Sequence, residues 1–216
     1  MLTLHIESRQ YTIDYSIFNN MTQILYIHGF CSSAQTGTVA RLRQVLTGCK
    51  VHAIDVNHHP AESIKQIEDY VRTHDIDLLI GTSLGGYYVL CADVDCIKVA
   101  ANPANDPEHM LNQPSMMGHQ RYFNPRQDGN WYFDFGPENL LEFRGVAMHI
   151  TPRTYIICSD HDELLGDNRA ACQALVPPER YRETSQIGHR MAPVFSEPHT
   201  GDLWLLLTDL IGTDNN

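Results

Sequence analysis

The chain has 216 residues, 43% hydrophobic and 19% charged, with 15 Lys+Arg against 26 Asp+Glu for a formal net charge of -11. A chain of this length buries roughly 70% of its unfolded surface without staples, which excludes a disulfide- or metal-held mini-protein, and the composition excludes a disordered one. The acidic balance repels nucleic acid phosphates and anionic lipid surfaces, so neither is expected as a partner.

From the N-terminus, Leu2–Glu7 and Tyr11–Phe18 alternate in polarity and predict an antiparallel hairpin within residues 1–22. Gln23–His28 is a third strand, ending at Gly29. Ser32 and Ser33 offer caps for a helix carrying Val39, Leu42, Val45 and Leu46, which Gly48 stops. Cys49–Val56 reads as a buried strand, His59–Pro60 opens a helix with Ile64, Ile67 and Val71 on one face, and Ile76–Ile80 is again a strand. Ser83–Ala92 is apolar nearly all round, so a helix there is covered on every side. Ile97–Ala101, Thr154–Cys158 and Arg182–Ile187 supply further strands, and Leu203–Leu210 a closing helix. The alternation predicts one α/β domain over 1–216, with a mostly parallel central sheet of about eight strands and helices on both faces.

Asn102–Pro152 breaks the rhythm. About fifty residues without a clear strand-helix pattern predict a cap or lid insertion within the domain. Its aromatic cluster, Trp131, Tyr132, Phe133 and Phe135, either lines an acyl pocket or anchors the insertion to the body. Met110, Met116 and Met117 suit both roles, because flexible thioethers fill irregular apolar gaps. Arg121, Arg126, Arg144 and Arg153 either meet a ligand carboxylate or phosphate or make ordinary surface salt bridges.

Gly81–Thr82–Ser83–Leu84–Gly85 lies where an Ile/Leu strand meets an apolar helix, the setting that a G-x-S-x-G nucleophile elbow requires. A serine on so sharp a turn takes a strained backbone conformation, and its neighbours two positions away must lack Cβ to avoid collision. His28–Gly29–Phe30 follows the third strand, where such folds place one oxyanion-hole amide. Phe30 is expected to supply it, with Cys31 the alternative, and Leu84 the other; His28 is read as a brace for the loop. In chain order the acid comes next and the base last. Asp162 is preferred over Asp160 because it lies further beyond the strand end, Asp106 is a remote third option, and His189 is the base. His199 lies in a Pro-flanked stretch, and His58 and His59 read as a solvated loop. Ser83, His189 and Asp162 together compose the acyl-transfer template.

The six cysteines, Cys31, Cys49, Cys91, Cys96, Cys158 and Cys172, form no CxxC, and reduced thiols in a cytosolic protein are expected. Met1–Tyr11 has no basic region followed by an apolar block, and the longest apolar run, Leu203–Ile211, contains Asp209 and is about half a bilayer span. A cytoplasmic location with no membrane association, and no metal or organic cofactor, is expected.

The segments Leu25–Phe30 with Ser32–Ser33, Gly81–Tyr88 (GTSLGGYY), Asn102–Pro103–Ala104, and Asp162–Glu163 followed by Arg169 resemble the α/β-hydrolase superfamily. Within it they are similar to the compact bacterial YqiA/YcfP-type esterase family. The resemblance runs from about Gln23 to the C-terminus and implies hydrolysis of carboxylic esters or thioesters, with Ser83, Asp162 and His189 at the triad positions; small to medium acyl groups are the expected substrates. Two features depart from the family: the first twenty or so residues, and Arg190–Met191 after the histidine in place of an aromatic. A non-catalytic binding protein on the same scaffold, or an acyltransferase with the same triad, remain alternatives, because fold does not fix function.

Overall fold

The computed structural model describes residues 3–6, 9–12, 23–45, 49–184 and 188–190. The central sheet contains β3 (Gln23–Ile27), β4 (Lys50–Ala53), β5 (Leu78–Thr82), β6 (Ile97–Ala101), β9 (Thr154–Ser159) and β10 (Tyr181–Thr184). They run in the order β10-β9-β6-β5-β3-β4, and every pairing is parallel. Parallel strands covered on both faces are apolar throughout rather than alternating. Ile24, Leu25, Leu78, Leu79, Val99 and Ile156 are accordingly fully buried.

Among the described residues this sheet has six strands, fewer than the expected eight or so. β1 (Thr3–Ile6) and β2 (Arg9–Thr12) pair antiparallel with each other as a separate two-stranded sheet. Only two residues separate them, so the local hairpin pairing is available without the central sheet. The rest of the predicted Tyr11–Phe18 strand, the end of Arg182–Ile187 and the Leu203–Leu210 helix lie outside the described residues.

Three helices flank the strands nearest the site: α1 (Gly37–Val45), α2 (Pro60–His74) and α3 (Leu84–Cys91). All eight residues of α3 are buried, as an all-round apolar helix requires. Ile67 and Val71 of α2 join one apolar cluster with Leu25, Ile27, Leu79 and Val89, which fixes α3 against the sheet. α1 begins later than the predicted serine caps. Thr36 Oγ1 accepts the Thr38 N–H at 3.4 Å, while Ser33 Oγ donates to the Pro125 carbonyl at 2.8 Å. Ser33 is thus used to hold the insertion.

That insertion contains α4 (Pro107–Leu111), β7 (Gly118–Arg121), β8 (Tyr132–Phe135) and α5 (Pro137–Leu141), and α6 (Arg169–Gln173) follows β9. β7 and β8 form an antiparallel pair that the sequence reading lacked, because GHQR is polar and carries no hydrophobic alternation. Three further hydrogen bonds tie the insertion to the loops after β3 and β4. Phe123 N–H donates to the Cys31 carbonyl at 2.8 Å, Gln127 N–H to Asp55 Oδ2 at 2.6 Å, and Arg126 Nη1 to the Val56 carbonyl at 3.0 Å.

From β3 the chain goes to β4 on one side and then returns to β5 on the other. Loops leaving β3 and β5 therefore diverge at the C-terminal edge of the sheet. In open α/β sheets this reversal of strand order is where ligands bind. His28–Cys31 and Ser83 sit at these two strand ends.

Candidate active site

Ser83 joins β5 to α3 with φ 55° and ψ -124°, a left-handed backbone conformation that costs energy for a residue with a side chain. Its N–H donates to the Ala101 carbonyl at 3.1 Å, and its carbonyl accepts the Tyr87 and Ala104 N–H groups at 3.0 Å each. The turn needs close backbone approach on both sides. A Cβ on Gly81 would stand 2.7 Å from Val89 Cγ2, and one on Gly85 would stand 2.5 Å from the His28 carbonyl oxygen. A Cβ on Gly29 would lie 3.2 Å from Ser83 Cβ, so the loop after β3 runs directly beside the serine.

His28 is buried, with both ring nitrogens engaged. Nε2 accepts the Val56 N–H at 3.1 Å, which leaves the proton on Nδ1 to be donated to the Gly29 carbonyl at 2.9 Å. Burial pushes its pKa down to about 4 despite the opposing Gly29 hydrogen bond. It is a neutral brace that fixes the β3 loop to the loop after β4. Within that loop Ser32 N–H donates to the Gly29 carbonyl at 3.2 Å, closing a tight turn with Cys31 at φ 56°. Among the described residues, neither the Phe30 nor the Leu84 N–H donates to a protein group.

His189 and Asp162, from loops after β10 and β9, are in direct contact. His189 Nδ1 lies 2.8 Å from Asp162 Oδ2 and 3.0 Å from Oδ1, with side chains 9% and 2% exposed. Asp162 Oδ1 also accepts the Leu165 and Leu164 N–H groups at 2.7 and 3.0 Å. Burial is the largest influence on this carboxyl and raises its pKa; the His189 hydrogen bond and the two amides together outweigh it and hold it below the ordinary value. Glu163 Oε2 accepts the His189 backbone N–H at 2.8 Å, orienting the histidine from its main chain. Asp160 is exposed, and its N–H continues the β9–β10 pairing to the Thr184 carbonyl at 2.9 Å.

No hydrogen bond joins Ser83 Oγ to the His189 ring among the described residues; such contacts are commonly long before substrate binds. The link between the two is Asn102, a residue the sequence reading used only as a motif letter. Asn102 follows Ala101, which anchors the Ser83 N–H, and has φ 41°. Its Nδ2 donates to the His189 carbonyl at 3.1 Å and its Oδ1 accepts the Ser159 N–H at 2.7 Å. An asparagine after a strand, tolerant of left-handed backbone, was the available signal.

The aromatic quartet of the insertion divides. Phe135 is 1% exposed in the core, and Phe133 walls a small cavity beside Gly29, Phe30 and Leu84. Trp131 and Tyr132 are exposed, beneath Arg121 and stacked on His119 respectively. Three of the four arginines meet acids: Arg126 with Asp128, Arg144 with Glu108 and Arg153 with Asp95. Among the described residues no group of three or more His, Cys, Asp or Glu is arranged to hold a metal, and no helix is long and apolar enough to cross a membrane.

Several solved structures share this architecture. Est1E from Butyrivibrio proteoclasticus superposes with a TM-score of 0.57 at 15% identity, covering 91% of this chain and 88% of that one. Paleococcus ferrophilus monoacylglycerol lipase gives 0.56 at 15%, covering 89% and 96%. The alpha/beta hydrolase GrgF from Penicillium sp. sh18 gives 0.56 at 14%, covering 88% and 89%. At these identities the likeness carries the fold, which is that of the α/β hydrolases. Among curated proteins no match is found. The profile of UPF0227, an uncharacterised protein family, matches residues 23–192, and the chain belongs to that family.

Proposed function

We propose that the chain is a serine hydrolase of carboxylic esters or thioesters carrying small to medium acyl groups. The observation that carries this reading is the buried His189–Asp162 hydrogen bond behind a serine held at positive φ on a strand-to-helix turn. Ser83 Oγ attacks the scissile carbonyl carbon while His189 Nε2 takes its proton, and Asp162 holds the Nδ1–H tautomer and stabilises the imidazolium. Negative charge collects on the former carbonyl oxygen, where the Phe30 and Leu84 amides are free to donate to it. The C–O or C–S bond then breaks, the leaving group takes the proton from His189, and water repeats the sequence on the acyl-enzyme to release the acid. The structural relatives, which include a named lipase, are consistent with this chemistry, and the small molecule substrate needs no cofactor for it.

A positioned base is worth about 10² to 10⁴-fold and one oxyanion donor about 10² to 10³-fold, so useful turnover needs both. The test is hydrolysis of a p-nitrophenyl ester series from acetate to octanoate, beside matched thioesters, by the native protein and by Ser83→Ala. Turnover by the native protein alone is expected; equal turnover by both would overturn the assignment. Adding a primary alcohol and following ester formation separates acyl transfer to water from transfer to an acceptor.

A further inference from the structure

The chain between β4 and α2 places His58 in a setting unlike the solvated loop its sequence suggested. Its ring stacks on Phe133 with centroids 4.8 Å apart at 22°, meets Phe135 edge-on at 5.5 Å and lies 4.3 Å from the His59 ring. Among the described residues, His58 Nδ1 is the single buried side-chain polar atom without a hydrogen-bond partner. A buried polar atom left unpaired costs about 1–3 kcal/mol, so this one calls for a partner from outside the chain. His59 is already taken, with its Nδ1 2.8 Å from Glu142 Oε2.

The same ring walls the small cavity that runs past Gly29, Phe30 and Leu84. The cavity volume is about 10 Å³, enough for one water-sized group. Three other polar side chains of the wall are engaged. His28 uses both nitrogens, Cys31 Sγ donates to Gln120 Oε1 at 3.8 Å, and Asn57 bonds to Glu62, Ser63 and the His59 N–H. Burial, followed by the neighbouring His59, pushes the His58 pKa down to about 4, so the ring is neutral at pH 7. A neutral imidazole has one donor and one acceptor nitrogen. With the proton assigned to Nε2, Nδ1 is left as an acceptor without a donor.

Resting on the hydrolase reading above, we propose that His58 Nδ1 accepts a hydrogen bond from a hydroxyl on the acyl group next to the scissile carbonyl. Short 2-hydroxyacyl esters are then the favoured substrate class. The carbonyl oxygen meets the Phe30 and Leu84 amides, the adjoining hydroxyl enters the one-water space, and the Phe133 and Phe30 rings cover the carbon. A site built around a substrate hydroxyl rejects the analogue that lacks it, because its own polar atom stays unpaired.

The experiment compares kcat/KM for phenyl acetate and phenyl 2-hydroxyacetate in the native protein, His58→Phe and His58→Gln. Taking each variant relative to the native protein cancels the intrinsic reactivity of the two esters. His58→Phe keeps a ring against Phe133 and is expected to lose about 10-fold on the hydroxyacetate beyond any loss on the acetate, about 1.4 kcal/mol. His58→Gln, which retains an acceptor, recovers part of that loss and serves if the first variant folds poorly. An equal change on both esters in both variants overturns the hydroxyl subsite while leaving the hydrolase reading in place. Hydrolysis of neither ester by a native protein that turns over longer p-nitrophenyl esters overturns the hydroxyl subsite alone, and turnover of no ester or thioester at all overturns both.

Discussion

The side-chain amide of Asn102 donates to the His189 carbonyl oxygen at 3.1 Å, and through it the strand that anchors Ser83 also positions the base. Ala101 accepts the Ser83 N–H, Asn102 is the next residue, and its oxygen holds the Ser159 N–H at the end of β9. One buried side chain thereby ties the end of β6 to the end of β9 and to the loop that carries His189. Asn102→Ala removes both bonds and leaves two buried backbone groups unpaired, at a cost of about 1–3 kcal/mol each, with a further ~1–2 kcal/mol for alanine in left-handed backbone. The expected result is a lower melting temperature and a kcat reduced by about 10-fold or more with KM little changed, since misplacement of a catalytic group slows the chemical step. A variant that melts earlier but keeps native kcat when folded would show that Asn102 serves stability alone.

Asp162 and Asp160 are separated by one residue, yet only Asp162 reaches the imidazole. Asp162→Asn presents an amide where the Nδ1–H needs an acceptor and is expected to lower kcat by about 10³ to 10⁴-fold, whereas Asp160→Asn changes it by less than about 3-fold. Steady-state kinetics on one ester decides between them, and greater damage from Asp160→Asn would reverse the assignment.

The same carboxyl sets a pH dependence of stability. Its folded pKa lies below the ordinary value of 3.8, so the folded state binds fewer protons than the unfolded state in the interval between the two values. The stabilisation is therefore complete above about pH 4 and is lost as pH falls through the folded value. Denaturant midpoints of the native protein and Asp162→Asn are expected to differ most at neutral pH and to converge as the pH falls below 3.8. A difference that stays constant over that range contradicts the assignment of this stabilisation to the Asp162 carboxylate.

Gly85 is fixed by close approach to the β3 loop. Gly85→Ala would drive a methyl group into the Ile27 and His28 carbonyls, forcing apart the serine turn and the loop carrying Phe30. Overpacking of this kind costs about 1–3 kcal/mol, and ester turnover should fall with it. Gly37→Ala, where a Cβ meets nothing within 4 Å, is the control and should leave both within about 0.5 kcal/mol of native. Calorimetry and turnover on the pair check this directly.

What was legible in the sequence is what depends on local pattern. The parallel strands are runs of Ile, Leu and Val, the elbow glycines bracket Ser83, and Asp162 and His189 follow consecutive strands of the sheet, where they meet. What was hidden depends on contacts between distant segments. His58 looked solvated because nothing nearby in sequence reveals that Phe133 stacks on it. Asn102 gives no sign of its bonds to Ser159 and His189, which lie 57 and 87 residues away. The β7–β8 pair escaped because β7 is polar and mostly exposed, so the alternation of β8 had no partner strand legible in the sequence. The count of strands in the central sheet missed for a different reason: alternation identifies β1 and β2 as strands without saying which sheet they join.

The central claim is that Ser83 is an activated nucleophile, and covalent labelling tests it most directly. The native protein is incubated with a fluorophosphonate, digested and mapped by mass spectrometry beside Ser83→Ala, with a known serine hydrolase in the same tube. One adduct on the peptide containing Ser83, absent from the variant, is the expected result. Labelling of the reference hydrolase with none on the native protein would contradict the account.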